Sequence, residues 1–368
     1  MLTNEPLNRF RNRQSSLSRF EQPFEFTLTS HEDQNLMHHV YHGGDVTTVH
    51  ARFPNALLPW LDLSTGINAL PYPIGTMDTE VWTKLPSRDS VNRLRTVAAN
   101  AYGARDARQV VPAPGTQALI QLLPRICRAK NVAILGFGYQ EHPATWRASG
   151  ANVIIAEDLE TISDLDIDVA VVVNPNNPDG RLISSAALLK LASSLQTRNG
   201  LLVVDEAFMD VVRPSASVIP MLARQNAVVL RSFGKAYGLA GLRLGFAIAN
   251  RDLAGKMEAA LGPWAVSGPA IAIGAKALAD TNWLDETSAR LAYDAARLDE
   301  LLAQAGFRIL GGSPLFRLVS HQDATEWFDK LCERGILVRP FFDRPTWLRF
   351  GIPGRAADWL RLKEALLE

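Results

Sequence analysis

The chain has almost no cysteine. Cys127 and Cys332 are the only two in 368 residues. Two cysteines make no disulfide framework, and these sit at no metal-binding spacing. That fits a reducing compartment and an expected cytoplasmic location. The chain has no net charge either: 38 Lys and Arg balance 38 Asp and Glu. No basic footprint points to nucleic acid or to an anionic membrane. No apolar run approaches the roughly 20 residues needed to span a bilayer. Internal repeats and low-complexity tracts are absent. The first residues, MLTNEPLNRFRNRQSSLSRF, carry arginine and serine but no apolar core, unlike a secretory signal. They leave an organellar transit peptide open and favour a flexible extension, or an arm laid on a partner subunit.

What is present is ordinary for a soluble enzyme, with 47% hydrophobic and 21% charged residues. The length exceeds one simple core and implies two domains, or one large domain with a smaller lobe. From about Pro114, helical patterns alternate with short apolar runs: NVAIL, NVIIA, DVAVVV, LLVVDEAF, AVVLRSF and LGFAIA. The runs are continuous rather than alternating. That predicts strands buried on both faces of a mostly parallel sheet, in a three-layer α/β/α domain. TQALIQLLPRICRA reads as a helix that Pro124 should kink or end. After Gly262-Pro263 the pattern changes to a long amphipathic helix, about Asn282 to Ala305, then short strands of an α+β lobe. The expected borders are an N-terminal extension and arm over 1–61, a large domain over 62–261 and a small domain over 262–368.

In such sheets ligands bind at the carboxyl ends of the strands. Three chemically different groups stand at three successive strand ends: NPNNPDG after DVAVVV, Asp205-Glu206 after LLVV, and Ser232 with Lys235 after AVVL. Taken singly, each reads equally well as a turn. Together they suit a cofactor with an aldehyde, a ring nitrogen and a phosphate. The aldehyde needs a lysine to form a Schiff base. The ring nitrogen needs a carboxylate that keeps it protonated, and the phosphate needs hydroxyl, arginine and backbone donors. Pyridoxal 5′-phosphate (PLP) presents those three demands. A lysine bonded to the aldehyde also explains Lys235 among small residues, in RSFGKAYGLAGLRLGF, where a free ammonium is costly to desolvate.

Ser232-x-x-Lys235 followed by Gly241-Leu242-Arg243-x-Gly245, with NPNNPDG and DEAF upstream, resembles the fold-type-I PLP enzymes of the class I and II aminotransferase family. The resemblance runs from about Asp62 to Pro353. It implies Lys235 as the Schiff-base lysine, Asp205 on the ring nitrogen and Asn177 on the phenolic oxygen. It implies Ser232, Arg243, Gly115 and Thr116 on the phosphate, Tyr139 stacked on the ring and Arg349 on the substrate carboxylate. Two departures stand out. Phe208 replaces a tyrosine that often donates to the phenolic oxygen. Leu85 stands at the position of a tyrosine that reaches the neighbouring subunit's cofactor phosphate in histidinol-phosphate aminotransferases.

The generic site does not select a reaction. HVYHGGDVTTVH and DLSTGINALPYP resemble the N-terminal pattern of the threonine-phosphate decarboxylases of cobalamin synthesis, cousins of histidinol-phosphate aminotransferase. That resemblance implies His42 and Gly43 near the substrate phosphate, with Arg339 as a phosphate ligand. It also implies Ile67 and Asn68 over the cofactor on the substrate side. The expected reaction is PLP-dependent decarboxylation of L-threonine O-3-phosphate to (R)-1-aminopropan-2-ol O-phosphate, in a homodimer. The competing reading is a histidinol-phosphate-type aminotransferase using 2-oxoglutarate. A non-catalytic PLP-sensing regulator fits poorly, because too few residues precede the His42-Gly43-Gly44 motif for a DNA-binding domain. His38, His39 and His42 as metal ligands lack a fourth partner at a recognisable spacing. The two glycines also read as a plain turn. His142, in GYQEH, reads either as a pocket residue or as an ordinary helix-start residue.

Overall fold

The computed structural model describes residues 42–222 and 225–368. His38, His39 and most of the expected N-terminal arm lie outside the described residues. The strands in chain order are β1 (Leu61–Asp62), β2 (Val110–Ala113), β3 (Asn131–Leu135), β4 (Asn152–Ala156), β5 (Val169–Val173), β6 (Leu201–Asp205) and β7 (Ala227–Ser232). They continue with β8 (Gly245–Ala249), β9 (Arg308–Ser313), β10 (Phe316–Ser320), β11 (Ile336–Leu337), β12 (Arg339–Pro340) and β13 (Trp347–Gly351).

Seven strands form the main sheet in the order β2-β8-β7-β6-β5-β3-β4. All neighbouring pairs are parallel except those of β8, which is antiparallel to β2 and to β7. Every residue of β5, β6, β7 and β8 is buried. The reason is visible in the alternation of side chains. Val204, Val172 and Val229 enter one core, with Leu188 and Leu191 of the helix Ser185–Gln196. Their neighbours Val203, Val171 and Val228 enter a second core, with Leu119 and Leu123 of the helix Thr116–Cys127. A strand with both faces covered cannot alternate in polarity, so it reads as a continuous apolar run. Helices on both faces give the expected three-layer α/β/α domain. The helix Thr116–Cys127 runs through Pro124 and ends three residues later, with the Arg128 amide on the Pro124 carbonyl. So near the end, the proline removes little of the helical ladder.

A four-stranded antiparallel sheet, β12-β13-β10-β9, follows the long helix Thr281–Gln304. The chain before the main sheet joins this region: β1 pairs in parallel with β11, Leu61 opposite Ile336. Residues 61–72 then cross to the lysine segment. The Gly351 amide donates to the Leu63 carbonyl at 2.6 Å, the Asn68 amide to Lys235 at 2.9 Å and the Tyr72 amide to Tyr237 at 2.9 Å. One extended stretch therefore touches both β13 and the loop after β7.

Candidate active site

Asp205 ends β6 and Ser232 ends β7, side by side at the carboxyl edge of the sheet. Asp205 is buried. One of its oxygens accepts from the Ala207 amide at 3.0 Å, and the other meets His142 Nε2 at 2.9 Å. His142 is itself buried, in the first turn of the helix Glu141–Ala148. Its place at a helix start and its place in the site are thus both real. The pairing fixes the carboxylate in orientation, and a buried carboxylate left without donors would be costly.

Lys235 follows in the short helix Phe233–Ala236 and is half-buried. Burial pushes its ammonium down to about 8, aided by the nearby cations Arg349, Arg339 and Arg243 and opposed by Asp205. A lysine so placed gives up its proton near neutral pH and becomes nucleophilic. Its Nζ lies 5.8 Å from the centre of the Phe208 ring. Phe208 offers no donor and packs edge-on against Phe316, centroids 5.0 Å apart.

The residues expected at the cofactor phosphate gather at the start of the helix Thr116–Cys127. Gly115 caps it with φ +86, and a Cβ there would lie 2.6 Å from Arg243 Nη2. Only glycine lets the guanidinium approach the open amides of this helix start, where an anion is favoured. Arg243 is itself left-handed, φ 53, and Nη1 donates to the Ala240 carbonyl at 3.1 Å.

On the substrate side, Arg349 and Arg339 face each other across β13 and β12. Both are buried. Arg349 Nη1 donates to Asn177 Oδ1 at 2.6 Å, and Nη2 to the Ser64 carbonyl at 2.7 Å. Its Nε is buried without a hydrogen-bond partner. Burial, then the charge of Arg339, holds the Arg349 guanidinium well below its ordinary range. Like charges opposite each other on a sheet are unfavourable, and an anion between them would offset that cost.

Asn68 was expected to contact substrate over the cofactor. Its amide supports the lysine segment. Nδ2 donates to the Ala236 carbonyl at 3.0 Å, and Oδ1 accepts from the Leu70 amide and from Arg290 at 2.9 Å. Ile67 is half-buried in the same stretch. Tyr139 is half-buried, its hydroxyl donating to Gln117 Oε1 at 3.2 Å. Burial raises it to about 12, so it stays a neutral ring. His42 lies beside it, ring centroids 6.0 Å apart, and meets Glu141 Oε1 at 2.8 Å. Gly43 packs on Ser64: a Cβ there would lie 2.3 Å from the Ser64 carbonyl oxygen. The Gly44 amide donates to Ser64 Oγ at 2.7 Å. Leu85 is 68% exposed.

Sequence reasoning missed Ser64, Gln117 and Glu141. A serine in DLSTG, or a Gln-Glu pair near an aromatic residue, carries no signal until the chain is folded.

The aminotransferase class I and II family model matches residues 67–365. Threonine-phosphate decarboxylases of Pseudomonas aeruginosa and a Sinorhizobium species are each 42% identical, over 327 and 331 residues, covering 89% of this chain and 97% of theirs. A histidinol-phosphate aminotransferase structure from Sinorhizobium meliloti, in complex with PLP, superposes with a TM-score of 0.77 at 21% identity. That match covers 93% of this chain and 97% of the other.

Proposed function

The chain belongs to the class I and II aminotransferase family, and from that premise we propose how its residues divide the work of a threonine-phosphate decarboxylase. It is a PLP-dependent carboxy-lyase acting on L-threonine O-3-phosphate, with (R)-1-aminopropan-2-ol O-phosphate as product. Relatedness to the decarboxylases at 42% identity over nearly the whole of their length separates it from the more distant histidinol-phosphate aminotransferases.

The residues present fit PLP. Lys235 loses its proton easily, Asp205 is a buried carboxylate held by His142, and Gly115 opens a helix start beside Arg243. In our reading Lys235 carries the covalent attachment. Asp205 keeps a proton on the ring nitrogen, and Tyr139 covers the ring face. Ser232, Thr116, Arg243 and the amides after Gly115 hold the phosphate. Asn177 turns Nδ2 to the phenolic oxygen, since Oδ1 is engaged by Arg349. Bound PLP supplies a conjugated ring that takes up the electron pair left at the substrate Cα when carbon dioxide departs.

Substrate selection rests on one observation, the buried Arg339–Arg349 cross-strand pair. A phosphorylated amino acid brings two anions to two guanidiniums. Arg349 takes the carboxylate, with its unpartnered Nε as the open donor. By fixing where that carboxylate lies, Arg349 would decide which bond at Cα is weakened. Arg339 and His42 take the phosphate. Lys235 Nζ, having taken a proton from the substrate ammonium, would deliver it to Cα in place of the carboxyl group.

A domain division at residues 61/62 and 261/262 and a homodimer belong to the same proposal. Exposed Trp82, Leu85 and Trp264 supply apolar area for a second copy. No described helix is long and apolar enough to cross a membrane. A cytoplasmic enzyme supplying the aminopropanol linker of cobalamin is consistent with that. The deciding measurement is carbon dioxide release from L-threonine O-3-phosphate by purified PLP-loaded protein, with no keto acid added. Sustained turnover supports the decarboxylase. No release, with conversion of the cofactor to its amine form by histidinol phosphate, would replace it with the aminotransferase.

A further inference from the structure

The His42-Gly43-Gly44 segment is held at two points. At one end the Gly44 amide donates to Ser64 Oγ. At the other, Glu141 Oε1 meets His42 Nε2 at 2.8 Å. The second Glu141 oxygen, Oε2, accepts from Gln117 Nε2. Gln117 in turn accepts from the Tyr139 hydroxyl through Oε1 at 3.2 Å. Four side chains from three places in the chain thus form one line that ends at the ring-stacking residue.

Glu141 is the centre of that line. Its side chain is 15% exposed and that of His42 is 45% exposed, so the shielded carboxylate organises the exposed imidazole. A carboxylate only accepts, and its two oxygens serve two donors at once. Engaging Nε2 fixes which ring nitrogen faces the protein and leaves Nδ1 on the far side. An exposed imidazole followed by two glycines would otherwise be ordered only when ligand arrives, at the expense of affinity. The Gln117 contact ties the same carboxylate to the helix Thr116–Cys127, so the imidazole is positioned against the element at the cofactor phosphate.

We propose that Glu141 is the positioning residue that makes His42 part of the substrate site, holding its ring beside Tyr139 where a phosphate on the substrate side chain is recognised. This rests on the reading of His42 as a phosphate ligand. Glu141 acts through His42 and Gln117 and touches no reacting atom.

The test titrates PLP-loaded wild type, Glu141→Ala, Glu141→Gln, His42→Ala and the His42→Ala/Glu141→Ala double variant. Each is mixed by stopped flow with L-threonine O-3-phosphate or with L-threonine, and affinity is read from the concentration dependence of the cofactor absorbance change in the binding phase, before turnover. Glu141→Ala should weaken the phosphorylated ligand about tenfold, the order expected for a hydrogen bond to a charged group. It should leave L-threonine within about twofold and the resting cofactor band unchanged. Glu141→Gln, with one acceptor oxygen for two donors, should fall between. The double variant should bind no worse than His42→Ala, because both changes remove one shared contact. Additive losses, or equal weakening of both ligands, would overturn the proposal. If His42→Ala alone keeps the full preference for the phosphorylated ligand, the reading of His42 fails and the proposal with it. If His42→Ala loses that preference while both Glu141 variants retain it, only the positioning role falls. Should Glu141→Ala lose its cofactor, Glu141→Gln, which keeps the side chain's size, decides by the same criteria.

Discussion

Arg349 reaches from β13 to donate to Asn177 Oδ1 at 2.6 Å. The two residues are 172 positions apart in the chain. The residue assigned to the substrate carboxylate is therefore locked to the residue assigned to the cofactor's phenolic oxygen. Each fixes the angle of the other before any ligand arrives.

The Gly43–Ser64 contact extends that lock. A Cβ at residue 43 would lie 2.3 Å from the Ser64 carbonyl oxygen, which also accepts from Arg349 Nη2. Backbone on both sides must move to relieve it. Gly43→Ala should raise KM for L-threonine O-3-phosphate by about tenfold or more, the order set by a lost charged hydrogen bond. Steady-state kinetics at constant cofactor occupancy would show it. An unchanged KM would mean that Ser64 does not carry the orientation of Arg349.

Lys235 sets a pH dependence. Its pKa is lowered to about 8, so below that pH the amine is mostly protonated and above it mostly free. The rate at which PLP recombines with the apo-protein should rise from pH 7 to 9 with a midpoint near 8, then level off. Stopped-flow absorbance gives the profile. A midpoint near the ordinary lysine value would refute the depressed pKa. Lys235→Ala should show neither the bound-cofactor band nor turnover.

His142 supports Asp205 from behind, with Nε2 at 2.9 Å. His142→Ala should leave the protein folded and lower kcat by about tenfold to a hundredfold, as losses of orienting partners do. Its cofactor spectrum should also shift, because the carboxylate at the ring nitrogen has lost a partner. An unchanged spectrum with reduced kcat would place the role of His142 elsewhere.

The proposed roles of Arg339 and Arg349 can be told apart by comparing a phosphorylated with a plain amino acid. Arg339→Ala should weaken L-threonine O-3-phosphate by about a hundredfold, as loss of a buried charge partner does, and L-threonine much less. It removes a like charge from beside Arg349, so binding of a plain carboxylate should not suffer. Equal losses for the two ligands would remove the phosphate assignment.

Much of this was legible in the sequence, for physical reasons. β5 to β8 announce themselves because burial on both faces demands continuous apolar residues. Asp205, Ser232 and Lys235 stand out because polar groups end those runs. The direction of β8 was not legible, since an antiparallel strand buried on both faces looks like a parallel one. Nor was the bond between Glu141 and His42, which are 99 positions apart. Asn68 drew attention through the resemblance of DLSTGINALPYP, but its partner Arg290 lies 222 positions away. Propensity and turn chemistry act over a few residues. Such pairings are made by the whole topology.

The antiparallel pairing of Ser232 with Gly245 has a consequence for motion. Residues 233–244 leave the sheet and return to it at the same edge, so both ends of the lysine segment are clamped. Its middle is clamped as well, by Asn68 on the carbonyls of Lys235 and Ala236. The backbone there cannot swing as a lid does. Whatever travel Lys235 makes in a catalytic cycle must come from torsions of its own four-carbon stem, a rotor on a fixed mount. Such rotations take picoseconds to nanoseconds where the side chain is free, so the slow step of turnover should lie in chemistry or in product leaving, not in the return of the lysine.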